Sequence, residues 1–395
     1  MTEPKRTHAL LSPSAASRWM HCTAAPRLEA PYPDRGSEYA EEGTLAHALA
    51  ELKLRKALVD PAMSTRKYNS AHKKLQEDPH YDPEMEVCTD GYLDYIQEIV
   101  HGRPSAPYVA AEVSLDLTRY IPEGYGTSDC IILHGGELWV IDYKHGKGVK
   151  VDAPGNPQTR IYGLGALAAY DWLYPITTVH MVIYQPRLSH VSTEDQSADE
   201  LRVWGETEVA PKARQAYDGP GETHAGDWCR WCKFKGDCRT RALDALMPYD
   251  AWRAKDAKAL DPDDYAQLLP LLDKITTWCG DIADAALEKA LAGVEIPGCK
   301  AVEGRSIRRY TDTDQAMAAL RAAGYDEALL YERRPITLAA AEKLVGKGRF
   351  GEIMAPYIMI PPGKPTLVPL ADKRAPLPIT RPTAAEDFGG NNHES

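Results

Sequence analysis

Phenylalanine occurs only 3 times in 395 residues, against 21 tyrosines and 8 tryptophans; the skew identifies no function. No apolar run approaches the roughly 18 residues that a membrane-spanning helix requires, which argues against a helical membrane protein. The opening MTEPKRTHALLSPSAASRW shows neither the apolar stretch nor the cleavage site of a secretory leader. Positive charge is in deficit, with Lys+Arg 46 against Asp+Glu 57 and a net charge of −11. That balance weighs against a protein that coats nucleic acid indiscriminately, since such binding runs on cations neutralising phosphates. It still permits a basic groove on an acidic body. The 8 cysteines are too few and too scattered for a secreted disulfide scaffold. The expectation is a soluble protein of a reducing cytoplasm, in which clustered cysteines bind metal.

What is present reads as a globular chain: 44% hydrophobic and 26% charged residues are ordinary values. At roughly 150 residues per domain the length fits two to three domains. Proline and glycine break residues 26–36, after which Tyr39–Leu58 carries apolar residues at helical spacing. Residues 61–84 look irregular, and a second helical run covers about Met85 to Val100. Strands are expected at YVAAEVSLDL from Tyr108 and at two apolar runs joined by His134-Gly-Gly-Glu137, a hairpin signal. A helix from Gln158 to about Trp172, a strand in TTVHMVIYQPR and a further strand at LRVWGETEV complete a mixed central sheet flanked by helices. Beyond it, 262–292 reads as helix divided at Pro270, 293–312 as a small hairpin, and 313–323 and 337–346 as short helices. The chain thus divides into a core over 1–245, a mainly helical region over 246–360 and a proline-rich, extended tail over 361–395.

The chemistry concentrates in Gly126-Thr-Ser-Asp129 and Val140-Ile-Asp142-Tyr-Lys144. Asp142 and Lys144 stand two apart on a strand and share a face. Charges in so apolar a run cost several kcal/mol unless something compensates them. Two carboxylates holding Mg²⁺ or Mn²⁺ through hard oxygen ligands are one such compensation, and they point to metal-assisted phosphodiester hydrolysis. An Asp-x-Lys tripeptide alone is more often a salt bridge on a half-exposed strand.

The surroundings make the difference. The arrangement resembles the PD-(D/E)XK nuclease superfamily, in its RecB/AddB-type iron–sulfur branch, whose fold is a restriction-endonuclease-like α/β sheet flanked by helices. Asp129 matches the first acid, Asp142-Tyr143-Lys144 the second motif, and Gln158-x-x-x-Tyr162 the helix motif just downstream. His47, in Gly43-Thr-Leu-Ala-His47, matches an upstream histidine that helps bind metal. Glu112, in Ala-Glu-Val, matches an acid often found on the preceding strand. The resemblance implies a metal site of His47, Asp129 and Asp142, with the main-chain carbonyl of Tyr143 as an extra ligand. Lys144 would be the catalytic lysine, while Gln158 and Tyr162 would orient DNA or Lys144.

Cys229-x-x-Cys232-x₅-Cys238 forms a tight thiol cluster, for which zinc is the generic expectation. The same resemblance supplies Cys22 as a fourth ligand and implies a [4Fe–4S] cluster that staples the two ends of the nuclease core. Cys₄ zinc stays open as the alternative. Cys88, Cys130, Cys279 and Cys299 are isolated and read as buried small hydrophobes.

Lys147, Lys150 and Arg160 lie near the proposed site and are expected to contact DNA, with further basic groups at 230–241 and at Arg305, Arg308 and Arg309. The opening HALLSPSAASRWMHC, the EYAEEGTLAHALAE helix and the GRSIRRYTD segment are together similar to an uncharacterised family of phage and prophage proteins placed within this superfamily. That similarity implies a phage-encoded DNA exonuclease acting in recombination, replication or DNA processing in a bacterial cytoplasm, on single strands or duplex ends. The rivals are a structure-specific endonuclease and a non-catalytic DNA-binding accessory protein that keeps the fold. No phosphate loop of a helicase is present, so any unwinding falls to a recombination or helicase partner.

Overall fold

A computed structural model describes residues 9–33, 36, 38–253, 261–302, 312–323 and 338–354. The chain divides into two compact units, residues 1–302 and 303–395. In the first, helix α1 (Glu38–Leu54) runs into a π-helical turn at Arg55–Val59 and is followed by α2 (Thr65–Gln76) and α3 (Glu84–His101). Strands β1 (Tyr108–Asp116), β2 (Tyr125–His134) and β3 (Glu137–Tyr143) come next, then helix α4 (Pro157–Tyr170) and strands β4 (Thr178–Gln185) and β5 (His190–Ser197). Helices α5 (Ala198–Trp204) and α6 (Ala210–Asp218) join through a π turn, and α7 (Arg239–Arg253), α8 (Pro262–Leu268) and α9 (Leu272–Leu291) follow. The described part of the second unit contains helices Thr313–Ala322, Leu338–Val345 and Lys347–Met354.

The five strands lie in sequence order in one sheet; β3 and β4 are parallel and the other neighbours antiparallel. The β2–β3 turn uses Gly135 and Gly136 at φ 57° and 87°, the double left-handed geometry of a tight hairpin that glycine adopts without strain. The parallel pair needs a crossover, and α4 supplies it.

Strand alternation sorts the core into two layers. Ile132, Trp139, Ile141 and Val182 face Leu45 and Leu49 of α1 and Tyr92 and Ile96 of α3. Ile131, Leu133, Val140 and Met181 face Ile161 and Leu164 of α4 and Leu201 of α5. Fully burying each such side chain contributes roughly 1.5–3 kcal/mol relative to leaving it exposed.

Two expectations are corrected here. The segment LRVWGETEV is helix, not strand: Ser197 and Glu200 form a reciprocal capping box, and Leu201 and Val209 pack inward at helical spacing. The fifth strand is instead HVSTEDQS at 190–197, a polar edge strand that pairs only with β4 and therefore lacks an apolar signature. Residues 61–84 are not wholly irregular. Ser64 accepts from Lys67 N–H at 3.2 Å to start α2, a helix that buries no residue fully and lays Leu75, partly buried, against the α1/α3 layer.

Other expectations stand: Pro270 lies in a 3₁₀ turn at Leu269–Leu271 that divides α8 from α9. The hairpin expected over 293–312 does not stand in its described part, because residues 293–302 hold no strand; its remainder, with Arg305, Arg308 and Arg309, lies outside the described residues, as does the tail from 361. Among the described residues no helix is long and apolar enough to cross a membrane.

Candidate functional site

At the carboxyl end of β3 the strand alternation sends Ile141 and Tyr143 to the α1/α3 layer and Val140 to the α4 layer. Asp142 and Lys144 therefore project towards α4. Asn156 caps that helix, accepting from Gln158 N–H at 2.9 Å, and Pro157 presets the first helical φ. Gln158 is thereby fixed against both charges. Its Nε2 donates to Asp142 Oδ1 at 3.1 Å and its Oε1 accepts from Lys144 Nζ at 2.9 Å. An amide suits this place because it offers a donor to the acid and an acceptor to the ammonium at once. Lys144 Nζ lies 2.9 Å from Asp142 Oδ2. Burial opposes the Lys144 ammonium, but Asp142 outweighs it and raises the lysine above its ordinary range. Burial raises the Asp142 carboxyl against the pull of Lys144, and Asp129 adds to the rise.

The β2–β3 ladder ends at Cys130↔Ile141. Beyond it a side chain takes over: Asp129 Oδ2 accepts from Tyr143 N–H at 2.7 Å. Asp129 Oδ1 lies 3.2 Å from His47 Nδ1, and the His47 ring packs edge-on against Tyr143 at 5.3 Å. Burial works against ionisation of Asp129, yet His47, the Tyr143 N–H and Lys144 together hold it below its ordinary range. Burial likewise opposes a charged His47, and Asp129 raises it.

Glu112 reaches the same place through a kink. The β1–β2 register pairs Ala111↔Cys130 and Val113↔Ser128 flank it without including it, and its φ is 49°. A left-handed conformation costs a residue with a side chain roughly 1–2 kcal/mol. Side-chain alternation changes phase across it, with Val109 and Ala111 packing on the α1/α3 layer and Val113 and Leu115 on the α4 layer. Such an interruption re-aims a side chain, and here it brings the Glu112 carboxylate to Asp129. One ligand atom each from His47, Glu112 and Asp129 lies within 4.8 Å of the other two. Burial, with Asp129 and Glu51 alongside, pushes the Glu112 carboxyl up to about 7. An imidazole with carboxylate oxygens fits a divalent cation. The raised acids at Glu112 and Asp142 fit one too, because added positive charge would stabilise their ionised forms.

Tyr162, one turn beyond Gln158, is buried over Gly126, where an added Cβ would lie 2.9 Å from its ring. Asp142 thus stands outside the His47–Glu112–Asp129 triad, tied to Lys144 and Gln158. Tyr143 enters the site through its N–H. Glu51 and Arg55 were not foreseen. Glu51 sits one turn after His47 on α1, a spacing that marks a shared face. Arg55 joins Glu51 Oε1 at 2.5 Å and donates to the Ala111 carbonyl beside the kink at 3.4 Å.

Lys147 and Lys150 are exposed on the segment after Lys144, Lys150 pairing with Asp152 at 3.1 Å. Arg160 is committed inside the protein: Nε lies 2.9 Å from Glu194 Oε2, Nη2 also pairs with Glu194, and the guanidinium stands 5.4 Å from the Trp204 ring. In the basic group near the cysteines, Lys235 and Arg241 pair with Asp281 of α9 at 2.9 and 2.6 Å.

Cys22, Cys229, Cys232 and Cys238 all line one small cavity. The N-terminal segment is docked there by a stack of His21 on Trp228 at 4.3 Å. Glu29 adds to the docking, accepting from Arg18 Nε at 2.8 Å and from Lys233 N–H at 2.7 Å. Burial, with Glu29 next, pushes the Cys232 thiol up to about 12. Cys88 and Cys130 are buried as expected, whereas Cys279 and Cys299 are exposed; Cys279 lies on α9, which buries no residue fully. The docking is close. Glu222 O accepts from Ala24 N–H at 3.1 Å, and Gly221, at φ 67°, would place a Cβ 2.4 Å from Ala24 N. Gly221→Ala is therefore expected to destabilise the protein by about 3 kcal/mol, from the left-handed φ and from overpacking. Thermal melting would show a fall of roughly 4–5 °C, and an unchanged midpoint would contradict this docking.

Among solved structures, the chain is similar to the one titled "Crystal structure of SSO0001", with 14% identity over 55% of this chain and 95% of that one. The TM-score of 0.23 is too low to carry an argument. The family model described as "Protein of unknown function (DUF2800)" matches residues 8–375, nearly the whole length, and the chain belongs to that family.

Proposed function

We propose that this protein is a Mg²⁺- or Mn²⁺-dependent DNA exonuclease of the PD-(D/E)XK superfamily, in its RecB/AddB-type branch. The observation that carries the reading is the convergence of the His47–Glu112–Asp129 triad with the Asp142–Lys144–Gln158 network. His47, Glu112 and Asp129 would hold the metal, with Asp142 and the Tyr143 carbonyl as further ligands, and the metal would supply Lewis-acid polarisation and a water of lowered pKa. Lys144, kept as an ammonium by Asp142, stabilises negative charge developing on the phosphate. Gln158 fixes Lys144 against rotation, and Tyr162 braces the helix over Gly126. The imidazole in the donor set favours Mn²⁺ over Mg²⁺.

Cys22, Cys229, Cys232 and Cys238 would hold the cluster. All four line one small cavity, and tetrahedral zinc is the alternative for such a Cys₄ set.

The test is digestion of end-labelled linear and closed circular DNA, single- and double-stranded, by anaerobically purified wild type and Asp142→Ala, with Mn²⁺, Mg²⁺ or EDTA. Metal-dependent digestion of linear DNA by wild type alone, with circles spared, is the expected result. Cleavage of circles would make the enzyme an endonuclease. Binding without cleavage would make it a DNA-binding accessory protein.

A pH prediction follows from Glu112 and His47. Protons compete with metal at both, so affinity rises with pH as the Glu112 carboxyl ionises across about 7. Calorimetric titration of Mn²⁺ from pH 5.5 to 8 is expected to show this rise in wild type. Glu112→Gln should bind more weakly at pH 8 and with a shallower pH slope; an equal slope would remove Glu112 from the site.

A further inference from the structure

We propose that Gln185 is a positioning residue that holds the segment 146–151 as a preformed grip for the phosphodiester backbone entering the candidate site. The inference rests on the nuclease reading above. Gln185 ends β4 and is 1% exposed. Its Nε2 donates to the Gly146 carbonyl at 2.7 Å and the Val149 carbonyl at 2.8 Å, and its Oε1 accepts from Val151 N–H at 3.1 Å. One buried amide thus ties down three backbone points of the chain that leaves Lys144.

The next residues are anchored by one face of β5, where side chains two apart point the same way. His190 Nε2 meets Asp152 Oδ1 at 2.9 Å, Ser192 Oγ accepts from Ala153 N–H at 2.9 Å, and Glu194 Oε2 accepts from Gly155 N–H at 3.2 Å. The whole connection from Lys144 to the α4 cap is therefore stitched to β4 and β5. Two glycines, Gly146 and Gly148, leave it no intrinsic stiffness, so the stitching sets its shape. Lys147, which pairs with no described acid, and Lys150, paired with Asp152, stand on it in solvent, three and six residues beyond Lys144. A segment ordered before binding spares the entropy that a loose basic loop would lose on gripping a strand.

The test uses the full chain with Gln185→Met, which fills the buried volume without the hydrogen bonds, and Gln185→Glu, which keeps one acceptor but faces two carbonyls without a donor. Circular dichroism checks folding of both. Relative to wild type, both variants are expected to raise KM for linear DNA with Mn²⁺ about tenfold while kcat stays within about twofold. The dependence of log KM on log salt should become shallower as lysine contacts are lost. Trypsin cleavage after Lys147 should accelerate about tenfold. Unchanged trypsin cleavage, or faster trypsin cleavage with unchanged KM and salt slope, would overturn the proposal while leaving the nuclease reading intact. A wild type that neither binds nor cuts DNA would overturn both.

Discussion

Asp142→Asn is expected to lower Mn²⁺-dependent cleavage of end-labelled linear DNA by at least about a thousandfold, roughly 4 kcal/mol of barrier. The substitution is isosteric at a side chain only 3% exposed, so packing is kept and the loss is chemical. On the proposed reading it removes a carboxylate that would join the His47–Glu112–Asp129 triad on the metal, where several kcal/mol of charge stabilisation would reside. It also turns an amide towards Lys144, whose Nζ lies 2.9 Å from Asp142 Oδ2. If the amide nitrogen faces Lys144, two donors clash; if it faces Gln158, the donor there loses its acceptor. Either way the lysine loses the anion that keeps it charged. Lys144→Met should impair turnover while sparing Mn²⁺ affinity, and Asp129→Asn should impair both. An Asp142→Asn enzyme within tenfold of wild type would sink the assignment of the active site.

The candidate site was more legible in the sequence than the fold around it, for a physical reason. Asp142 and Lys144 stand out because charged residues interrupt an apolar strand. Gln158 and Tyr162 stand out only through the Gln-x-x-x-Tyr motif that the family resemblance supplies, and the hairpin through Gly135-Gly136. Elements that bury no side chain fully leave a fainter mark. Helix α2 only half-buries Leu75 against the core, and β5, with Val191 its one aliphatic residue, closes one edge of the sheet. The segment LRVWGETEV alternates enough to resemble a strand, and what decides for helix is the cap formed by Ser197 and Glu200. The role of Gln185 was equally hidden, since its partners are backbone atoms of a distant segment that only the fold brings together. Arg160 shows the opposite error. Proximity in sequence to the motif put it on DNA, while the fold gives it Glu194 as a close, double partner.

Cys22→Ser is expected to bleach the protein and to lower its stability together. With four thiolates on [4Fe–4S], wild type purified without oxygen should be brown with broad absorption near roughly 400 nm, and the variant should lose it. The cross-link from residue 22 to residue 238 closes a loop of roughly 216 residues, worth about 5 kcal/mol on loop-closure arithmetic. The non-covalent docking remains: His21 still stacks on Trp228, and Glu29 still holds Arg18 and the Lys233 N–H. The variant should therefore stay folded at low temperature and melt well below wild type. Cys279→Ser, at an exposed cysteine outside the cavity, should change neither colour nor melting. Brown colour retained in Cys22→Ser would remove Cys22 from the ligand set. A colourless wild type with one zinc per chain would keep the four thiolates but replace the cluster. Because the cavity lies apart from the His47–Asp129–Asp142 site, cluster loss should act on cleavage through stability. Residual activity at low temperature in Cys22→Ser, absent in Asp142→Asn, separates the staple from the chemistry.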